Sequence, residues 1–184
     1  MPDERFEATT MYGNPLTLVG PELKVGDRAP DFSMRDLDLQ HFTLNDTRRK
    51  IRLFSVVISL DTPVCDAQSR RFDLEAAGLG ENVEVITVSC DLPFAQKRWC
   101  AGAGVKRMTV LSDYFNHSFS KSYGVLIKEL QLDSRAIFVV DAQDTIRYVE
   151  YVPEIGEHPD YDKAVGTARA LADLIAKSRA VGYP

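Results

Sequence analysis

A cysteine at the start of a predicted helix is the residue of this chain best placed for chemistry. Cys65 follows Asp61, Thr62 and Pro63, which suit the cap and the first position of a helix. The first turn of a helix offers free backbone N–H groups and the positive end of the helix dipole, and both favour a thiolate over a thiol. Cys65 is therefore a candidate nucleophile, and the alternative is that it packs as a small apolar residue.

The chain contains two further cysteines, Cys90 and Cys100. Three cysteines do not indicate a structural disulfide framework, so redox chemistry or simple burial remains for them. For Cys90 we favour a buried small residue, and the alternative is a second oxidation target or disulfide partner. The three histidines are far apart in sequence and none has another ligand at the spacing of a zinc site, so no metal site is predicted.

The elements around Cys65 form a predicted strand–helix–strand unit. Residues 53–58 are almost continuously apolar, as expected of a strand buried on both faces of a sheet. After the helix, the segment 82–89 alternates and then becomes apolar and β-branched, which indicates a second strand. Such a βαβ unit has a right-handed crossover, and it places Cys65 at the end of a central strand.

The remaining elements lie on both sides of this unit. Strand-like segments flank Gly13-Asn14-Pro15 and predict an N-terminal β-hairpin at about residues 9–19, with residues 1–8 loose. Asp91-Leu92-Pro93 starts a second helix, residues 109–112 form a short strand, and residues 113–123 contain one or two helical turns. Residues 136–140 and 145–152 form a second hairpin, and apolar residues at helical spacing predict an amphipathic helix over residues 161–180.

This order of elements is that of a thioredoxin-like sheet. We therefore predict an α/β protein with a thioredoxin-like fold and an N-terminal β-hairpin, in a single domain that spans residues 1–184. Cys65 is followed by Asp66, Ala67 and Gln68, so the C-x-x-C pair of a dithiol oxidoreductase is absent.

Composition excludes several classes of function. The net charge of −5 argues against general binding of nucleic acids or anionic membranes. No apolar run approaches the roughly 20 residues of a membrane helix. The N-terminus lacks the positive start and apolar core of a signal peptide, so we expect a cytoplasmic protein.

Three segments of the chain carry a recognisable pattern. They are Asp61-Thr62-Pro63-Val64-Cys65, the run SCDLPFAQKRWC from Ser89 to Cys100, and Ser134-Arg135-Ala136. Together they resemble the thiol peroxidases, which are atypical two-cysteine members of the peroxiredoxins, and the resemblance runs from the N-terminal hairpin to the last helix. It implies a thioredoxin-dependent peroxidase that needs no metal, haem or flavin cofactor, reduces hydrogen peroxide and organic hydroperoxides, and forms a homodimer.

The resemblance also implies a role for four residues. Cys65 would be the peroxidatic cysteine, which attacks a hydroperoxide and becomes a sulfenic acid. Thr62 would hydrogen-bond the peroxide and the sulfur, and Arg135 would stabilise the thiolate and polarise the O–O bond. Cys100 would be the resolving cysteine, forming a disulfide with Cys65 that thioredoxin reduces. We expect both cysteines near helix starts, and the segment of Cys100 to have low local stability.

One departure from the family pattern keeps a second function open. Ile58 stands where the family has a proline that shields the sulfur, and isoleucine restores a backbone N–H and frees φ. The alternative is a thioredoxin-fold redox protein that senses peroxide through Cys65 with little turnover. Among neighbouring residues, we expect Trp99 to serve packing, and Arg70 and Arg71 to lie on a solvated helix face.

Overall fold

Two β-sheets form the framework of this computed structural model, which describes residues 3–180. Four helices and one 3-10 turn, Leu44–Thr47, accompany the sheets. The strands are β1 (Glu4–Met11), β2 (Asn14–Val19), β3 (Met34–Arg35), β4 (His41–Phe42), β5 (Ile51–Val56), β6 (Val83–Ser89), β7 (Thr109–Ser112), β8 (Leu126–Ile127), β9 (Leu132–Asp133), β10 (Ala136–Val140) and β11 (Ile146–Tyr151); the helices are α1 (Pro63–Ala76), α2 (Pro93–Ala103), α3 (Ser118–Ser122) and α4 (Tyr161–Ala180).

The larger sheet has seven strands in the order β11-β10-β5-β6-β7-β3-β4. Its strand β5 is buried at every position and pairs in parallel with β6 and antiparallel with β10. Because successive side chains of a strand point to opposite faces, Leu53 packs in the cluster formed with α1 and α4, and Phe54 packs in the aromatic cluster on the other face. A doubly buried strand is present as the sequence predicts, but it spans residues 51–56, and the last two residues of the apolar run 53–58 lie in the loop that follows.

The smaller sheet has the order β1-β2-β8-β9 and contains the predicted N-terminal hairpin. The expectation that residues 1–8 are loose is wrong for Glu4 to Ala8, which belong to β1, while Met1 and Pro2 lie outside the described residues. These polar residues form a strand because Glu4 and Arg5 pair with β2 and the Arg5 guanidinium donates to backbone carbonyls, among them that of Gly20. The two-residue strands β8 and β9 were not predicted.

The helices agree with most of the sequence predictions. Helix α1 begins at Pro63, α2 begins at Pro93, and α4 has the predicted bounds. The expectation that Cys100 lies near a helix start is wrong, because α2 begins at Pro93 and Cys100 falls in its second half. Within the described part of the chain, no helix is both long and apolar enough to cross a bilayer.

Candidate active site

The start of α1 presents Cys65 as the third residue of the helix. Thr62 is the N-cap residue, but its side chain does not cap the helix; its hydroxyl donates instead to the carbonyl of Ser59 at 3.0 Å. Pro63 occupies the first helical position, where its fixed φ suits the helix and no N–H is required. The N–H groups of the first turn have no partner within the helix, so they are available to a negative charge at this end.

The loop before α1 is fixed by a carboxylate from the neighbouring strand. Asp91, just after β6, accepts hydrogen bonds from the Ser59 hydroxyl at 2.7 Å and the Leu60 N–H at 2.8 Å. The Ser89 hydroxyl donates to the same carboxylate at 2.9 Å. Because β5 and β6 are parallel, their carboxyl ends meet at one edge of the sheet, and the loop that carries Thr62 is held there.

The centre of the site is a buried contact between Cys65 and Arg135. The Nη2 atom of Arg135 lies 3.3 Å from the Sγ atom of Cys65, and the two residues are 0% and 1% exposed. The guanidinium also donates to the Ile155 carbonyl from Nε at 2.9 Å and from Nη2 at 2.8 Å, and to Gln68 Oε1 at 2.5 Å. Gln68 is itself held by the Ser55 hydroxyl, which accepts from its amide at 2.8 Å.

Within residues 3–180, the charge of Arg135 is not matched by a carboxylate. Among the residues that the structure describes, none of the ion pairs involves Arg135. A buried cation is costly unless an anion compensates it. Of its hydrogen-bond partners, Cys65 is the one that can ionise, because the others are a carbonyl and a carboxamide. The structure thus places an ionisable side chain against a buried cation.

A pocket of about 100 Å³ opens beside Arg135. Helix α1 contributes its first residues, the loop after β5 contributes Ile58, and the tip of the N-terminal hairpin forms another wall. Most of the lining is apolar, with Thr62, Arg135 and Glu154 as polar groups. The lining residues are Met11, Tyr12, Ile58, Thr62, Pro63, Val64, Arg135, Glu154, Ile155 and Gly156.

The hairpin tip is tied to the segment that orients Arg135. The Thr10 N–H donates to the Pro153 carbonyl at 2.7 Å, and the Ile155 N–H donates to the Thr10 carbonyl at 2.9 Å. Glu154 accepts from the Thr10 hydroxyl at 2.8 Å and from the Gly13 N–H at 3.0 Å. These hydrogen bonds lower the pKa of Glu154 to about 2, and the bond from the Gly13 N–H has the largest effect, followed by that from the Thr10 hydroxyl. One carboxylate thus fastens the hairpin beside the pocket.

Cys100 lies near the site without a bond to Cys65. All three cysteines are free thiols, and partly buried Cys100 packs against the apolar cluster that includes Cys65. Burial raises the pKa of the Cys100 thiol. Cys65 and Cys100, the two cysteines to which the resemblance gives a role, thus meet at one apolar cluster, and both are free thiols.

Trp99, beside Cys100, has a polar contact that the sequence did not predict. Its indole N–H donates to Asp66 Oδ1 at 2.9 Å, in addition to the expected packing against the Cys65 cluster. Asp66 also accepts from Arg70, while Arg71 pairs with Glu75. Both arginines lie on the partly exposed face of α1, as expected.

Cys90 lies in a different environment from Cys65. It is half-buried, with Sγ 3.4 Å from His117 Nδ1 and 3.5 Å from Asp133 Oδ2. Burial raises the pKa of Cys90, and the charges of Asp133 and Asp113 raise it further. These neighbours favour a protonated thiol, which is the opposite of what a nucleophile requires.

Sequence reasoning missed the residues that hold Cys65 and Arg135 in place. Gln68 lies one helical turn after Cys65 and carried a signal in its spacing, because residues three apart share a helix face. Ile155 acts through its backbone carbonyl, which any residue supplies, so no sequence signal marks it. Asp91 and Glu154 hold loops from other parts of the chain, and only the folded arrangement shows their partners.

Comparisons with known proteins add to this geometry. The AhpC/TSA family matches residues 25–149. The thiol peroxidase of Halalkalibacterium halodurans is 57% identical over 161 residues, covering 88% of this chain and 96% of that protein. The thiol peroxidase of Bacillus subtilis is 49% identical over 162 residues, covering 88% of this chain and 96% of that protein.

Solved structures show the same architecture. The peroxiredoxin-like protein from Aquifex aeolicus superposes with a TM-score of 0.84 at 42% identity, covering 90% of this chain and 97% of that one. The thiol peroxidase from Chromobacterium violaceum superposes with a TM-score of 0.78 at 21% identity, covering 95% and 98%, a likeness that concerns the fold alone. The predicted α/β, thioredoxin-like fold is confirmed.

Proposed function

The chain belongs to the AhpC/TSA family and is a peroxiredoxin-type peroxidase, and on this basis we propose that Cys65 is its peroxidatic cysteine and Cys100 its resolving cysteine. The resemblance to the thiol peroxidases is thereby confirmed at the level of the family. The proposed activity is the reduction of hydrogen peroxide and organic hydroperoxides, with electrons supplied by thioredoxin.

The first step is attack of the Cys65 thiolate on the terminal oxygen of the hydroperoxide. The S–O bond forms as the O–O bond breaks, and the leaving oxygen takes a proton to become an alcohol or water. Arg135 stabilises the thiolate and the negative charge that grows on the leaving oxygen. Thr62 lines the same pocket, so its hydroxyl is available to hydrogen-bond the peroxide.

The second step returns the sulfenic acid to a form that a reductant can use. The Cys100 thiol attacks the sulfur of Cys65, the S–S bond forms, and the sulfenic oxygen leaves as water with the thiol proton. Thioredoxin then reduces the disulfide by thiol–disulfide exchange. The proximity of both cysteines to one apolar cluster supports this assignment.

The pocket supports organic hydroperoxides as the preferred substrates. Its walls are mostly apolar, with Met11, Ile58 and Val64 among the lining residues. An alkyl or aryl group of a substrate would remove these side chains from water, whereas hydrogen peroxide would leave part of the pocket unfilled. Comparison of kcat/KM for cumene hydroperoxide and hydrogen peroxide tests this preference.

The buried contact between Arg135 and Cys65, at 3.3 Å, is the observation that carries the proposal. In a thioredoxin-coupled assay with cumene hydroperoxide, Cys65→Ser abolishes consumption. Cys100→Ser reacts once and then accumulates sulfenic or sulfinic acid at Cys65, while Cys90→Ser serves as the matched control and turns over normally. Activity in Cys65→Ser, or normal turnover in Cys100→Ser, contradicts the assignment, and the latter result transfers the resolving role to Cys90.

The remaining features of the proposal concern the whole molecule. We propose a single-domain cytoplasmic protein that forms a homodimer, as the resemblance to the thiol peroxidases implies. Light scattering of the purified protein measures the molar mass, and a value near that of one chain contradicts the dimer. A stoichiometric Cys65–Cys100 disulfide without thioredoxin-driven turnover contradicts the peroxidase cycle and fits a peroxide sensor.

A further inference from the structure

Helix α2, which carries Cys100, is weakly anchored by apolar contacts. Its buried residues are Pro93 and Gln96, and the remaining side chains from Pro93 to Ala103 are partly or fully exposed. Segments with few buried apolar contacts open locally at low cost in free energy. The polar contacts of α2 therefore decide how firmly it is held.

Its first half is anchored by a buried side chain. The Gln96 amide donates to the Ser89 hydroxyl at 3.0 Å and to the Leu111 carbonyl at 2.9 Å. These partners belong to strands β6 and β7 of the large sheet. The anchor holds the helix at Gln96, and the residues that follow, including Cys100, depend on other contacts.

The second half of α2 is held by the first turns of α1. Asp66 accepts the indole N–H of Trp99 at 2.9 Å and the Arg70 Nε at 2.9 Å. Arg70 in turn donates from Nη1 to the carbonyl of Ala103 at 2.9 Å, and its guanidinium lies 5.8 Å from the centre of the Trp99 ring. We call Asp66, Arg70, Trp99 and Ala103 the α1–α2 network. It joins the residue after Cys65 to the residue before Cys100.

We propose that the α1–α2 network holds Cys100 in its helix and thereby sets the rate at which the sulfenic acid of Cys65 is resolved. This inference rests on the proposed function of the two cysteines. Disulfide formation requires the two sulfur atoms to reach about 2.05 Å, with Cα atoms within roughly 4.4–6.8 Å. Both thiols are free in the folded structure, and the proposal is that the end of α2 leaves α1 before their sulfur atoms bond. Asp66 and Trp99 then act as positioning residues.

The network also governs competition between two fates of Cys65. In resolution, Cys65–SOH and Cys100–SH give the disulfide and water. In overoxidation, Cys65–SOH and a second hydroperoxide give the sulfinic acid and an alcohol or water. A network that slows resolution lengthens the life of the sulfenic acid, and a second peroxide then oxidises a larger share of the protein irreversibly.

The test measures both fates in the full chain after a pulse of cumene hydroperoxide. Trp99→Phe removes the indole N–H and keeps an aromatic ring, and Asp66→Ala removes the acceptor. Glu75→Gln is the matched control, because it breaks a second i,i+4 pair of α1, with Arg71, that does not reach α2. The reaction is stopped at set times and dimedone traps the remaining sulfenic acid. Mass spectrometry then measures the fractions of the protein in the sulfenic, sulfinic and disulfide forms.

We expect disulfide formation to accelerate by about tenfold in Trp99→Phe and Asp66→Ala, the scale of one hydrogen bond to a charged group. The sulfinic fraction at a given peroxide concentration falls correspondingly, while Glu75→Gln matches the parent. The first oxidation of Cys65 in Trp99→Phe stays within about twofold of the parent rate, which a general loss of structure would not preserve.

Two results would overturn the inference in different ways. If disulfide formation is unchanged or slower in both variants while the parent forms a normal Cys65–Cys100 disulfide, the network does not control resolution, and the proposed function stands. If the parent forms no Cys65–Cys100 disulfide, both the inference and the proposed function are contradicted. The emission of Trp99, the sole tryptophan, provides a second reading, because release of α2 exposes the indole to water in the oxidised parent.

Discussion

Arg135 reaches Cys65 across 70 positions of sequence, with Nη2 at 3.3 Å from Sγ. The same guanidinium donates twice to the carbonyl of Ile155 and once to Gln68. The cation is therefore fixed by backbone on one side and faces the thiol on the other. Planar geometry with several donors is what allows one side chain to make all of these contacts.

Arg135→Lys should lower kcat/KM for hydroperoxides by about a hundredfold. Lysine keeps the charge, but it cannot bond the Ile155 carbonyl and the Cys65 sulfur in the same fixed geometry, and loss of one preorganised donor to a developing oxyanion has this scale. Initial rates in the thioredoxin-coupled assay measure the effect. Arg147→Lys, at a half-exposed arginine paired with Asp141, is the control. A kcat/KM in Arg135→Lys equal to that of the parent would show that the guanidinium group is not required for the reaction.

Gln68→Glu should slow alkylation of Cys65 by iodoacetamide at pH 7 by about tenfold or more. A carboxylate at this position would neutralise Arg135, and a thiolate would no longer be needed as the compensating anion. Gln68→Met is the matched control, because it removes the hydrogen bonds to Arg135 and Ser55 without adding a charge. If Gln68→Glu is alkylated as fast as Gln68→Met, charge compensation by the thiolate is not what activates Cys65.

Glu154→Gln should raise KM for cumene hydroperoxide by about threefold to tenfold, the scale of one hydrogen bond, with a smaller change for hydrogen peroxide. The carboxylate holds the hairpin tip, and Met11 and Tyr12 of that tip form one wall of the pocket. A bulky substrate needs that wall in place. Glu157→Gln, at a nearby exposed residue, is the control, and equal changes for both peroxides would contradict the role of the hairpin.

Ile58→Pro should change the rate of cumene hydroperoxide consumption by less than about threefold, well under the loss of one catalytic donor. Ile58 is 6% exposed and lines the pocket, so its apolar side chain already excludes water where the family pattern has proline. The coupled assay on the parent and the variant measures this. An inactive parent that proline restores would show that isoleucine removes the shielding of Cys65.

The stability of the protein should fall as pH rises from about 4 to about 7, in part because of Asp133. Burial, followed by the charge of Asp113, raises the pKa of Asp133 to about 7. The folded state thus keeps a proton that the unfolded state loses near pH 4, and one such proton lowers the free energy of unfolding by at most about 1.4 kcal/mol per pH unit. The Ser120 hydroxyl supports this, because its oxygen contacts both carboxyl groups and has one hydrogen to donate, so a protonated carboxyl group supplies the second hydrogen bond.

Asp133→Asn mimics the neutral carboxyl group and should flatten this dependence. Urea unfolding at pH 5, 6 and 7 gives the slope for the parent and the variant. Burial raises the pKa of Asp113 as well, so a smaller slope of the same sign remains. Asp162→Asn, at an exposed aspartate, should keep the parent slope. Identical slopes in the parent and Asp133→Asn would show that Asp133 is ionised in the folded protein.

Local signals in the sequence were sufficient for the elements that present Cys65. A buried apolar run, a threonine–proline helix start and a long amphipathic pattern predicted β5, the start of α1 and the bounds of α4. The strands β8 and β9 have two residues each, too short for any periodicity, and they exist because β2 provides an edge to pair with.

Contacts between distant segments were beyond sequence reasoning. Trp99 was predicted to pack, and the structure adds a hydrogen bond to Asp66, because the first turn of α1 and the second half of α2 lie side by side only in the folded chain. The position of Cys100 was wrong for a different reason. The helix start was placed correctly at Pro93, but Cys100 lies two turns beyond it.

The pairing of the N-terminal hairpin with the segment after β11 has a consequence for synthesis. Thr10 bonds Pro153 across 143 positions, and Arg135 needs the carbonyl of Ile155. During translation, Cys65 emerges from the ribosome long before these partners exist. Arg135 therefore lacks the carbonyl that holds it beside Cys65 until the segment after β11 has been made and has met the N-terminal hairpin, so the buried contact between the two residues forms only when nearly the whole chain is available.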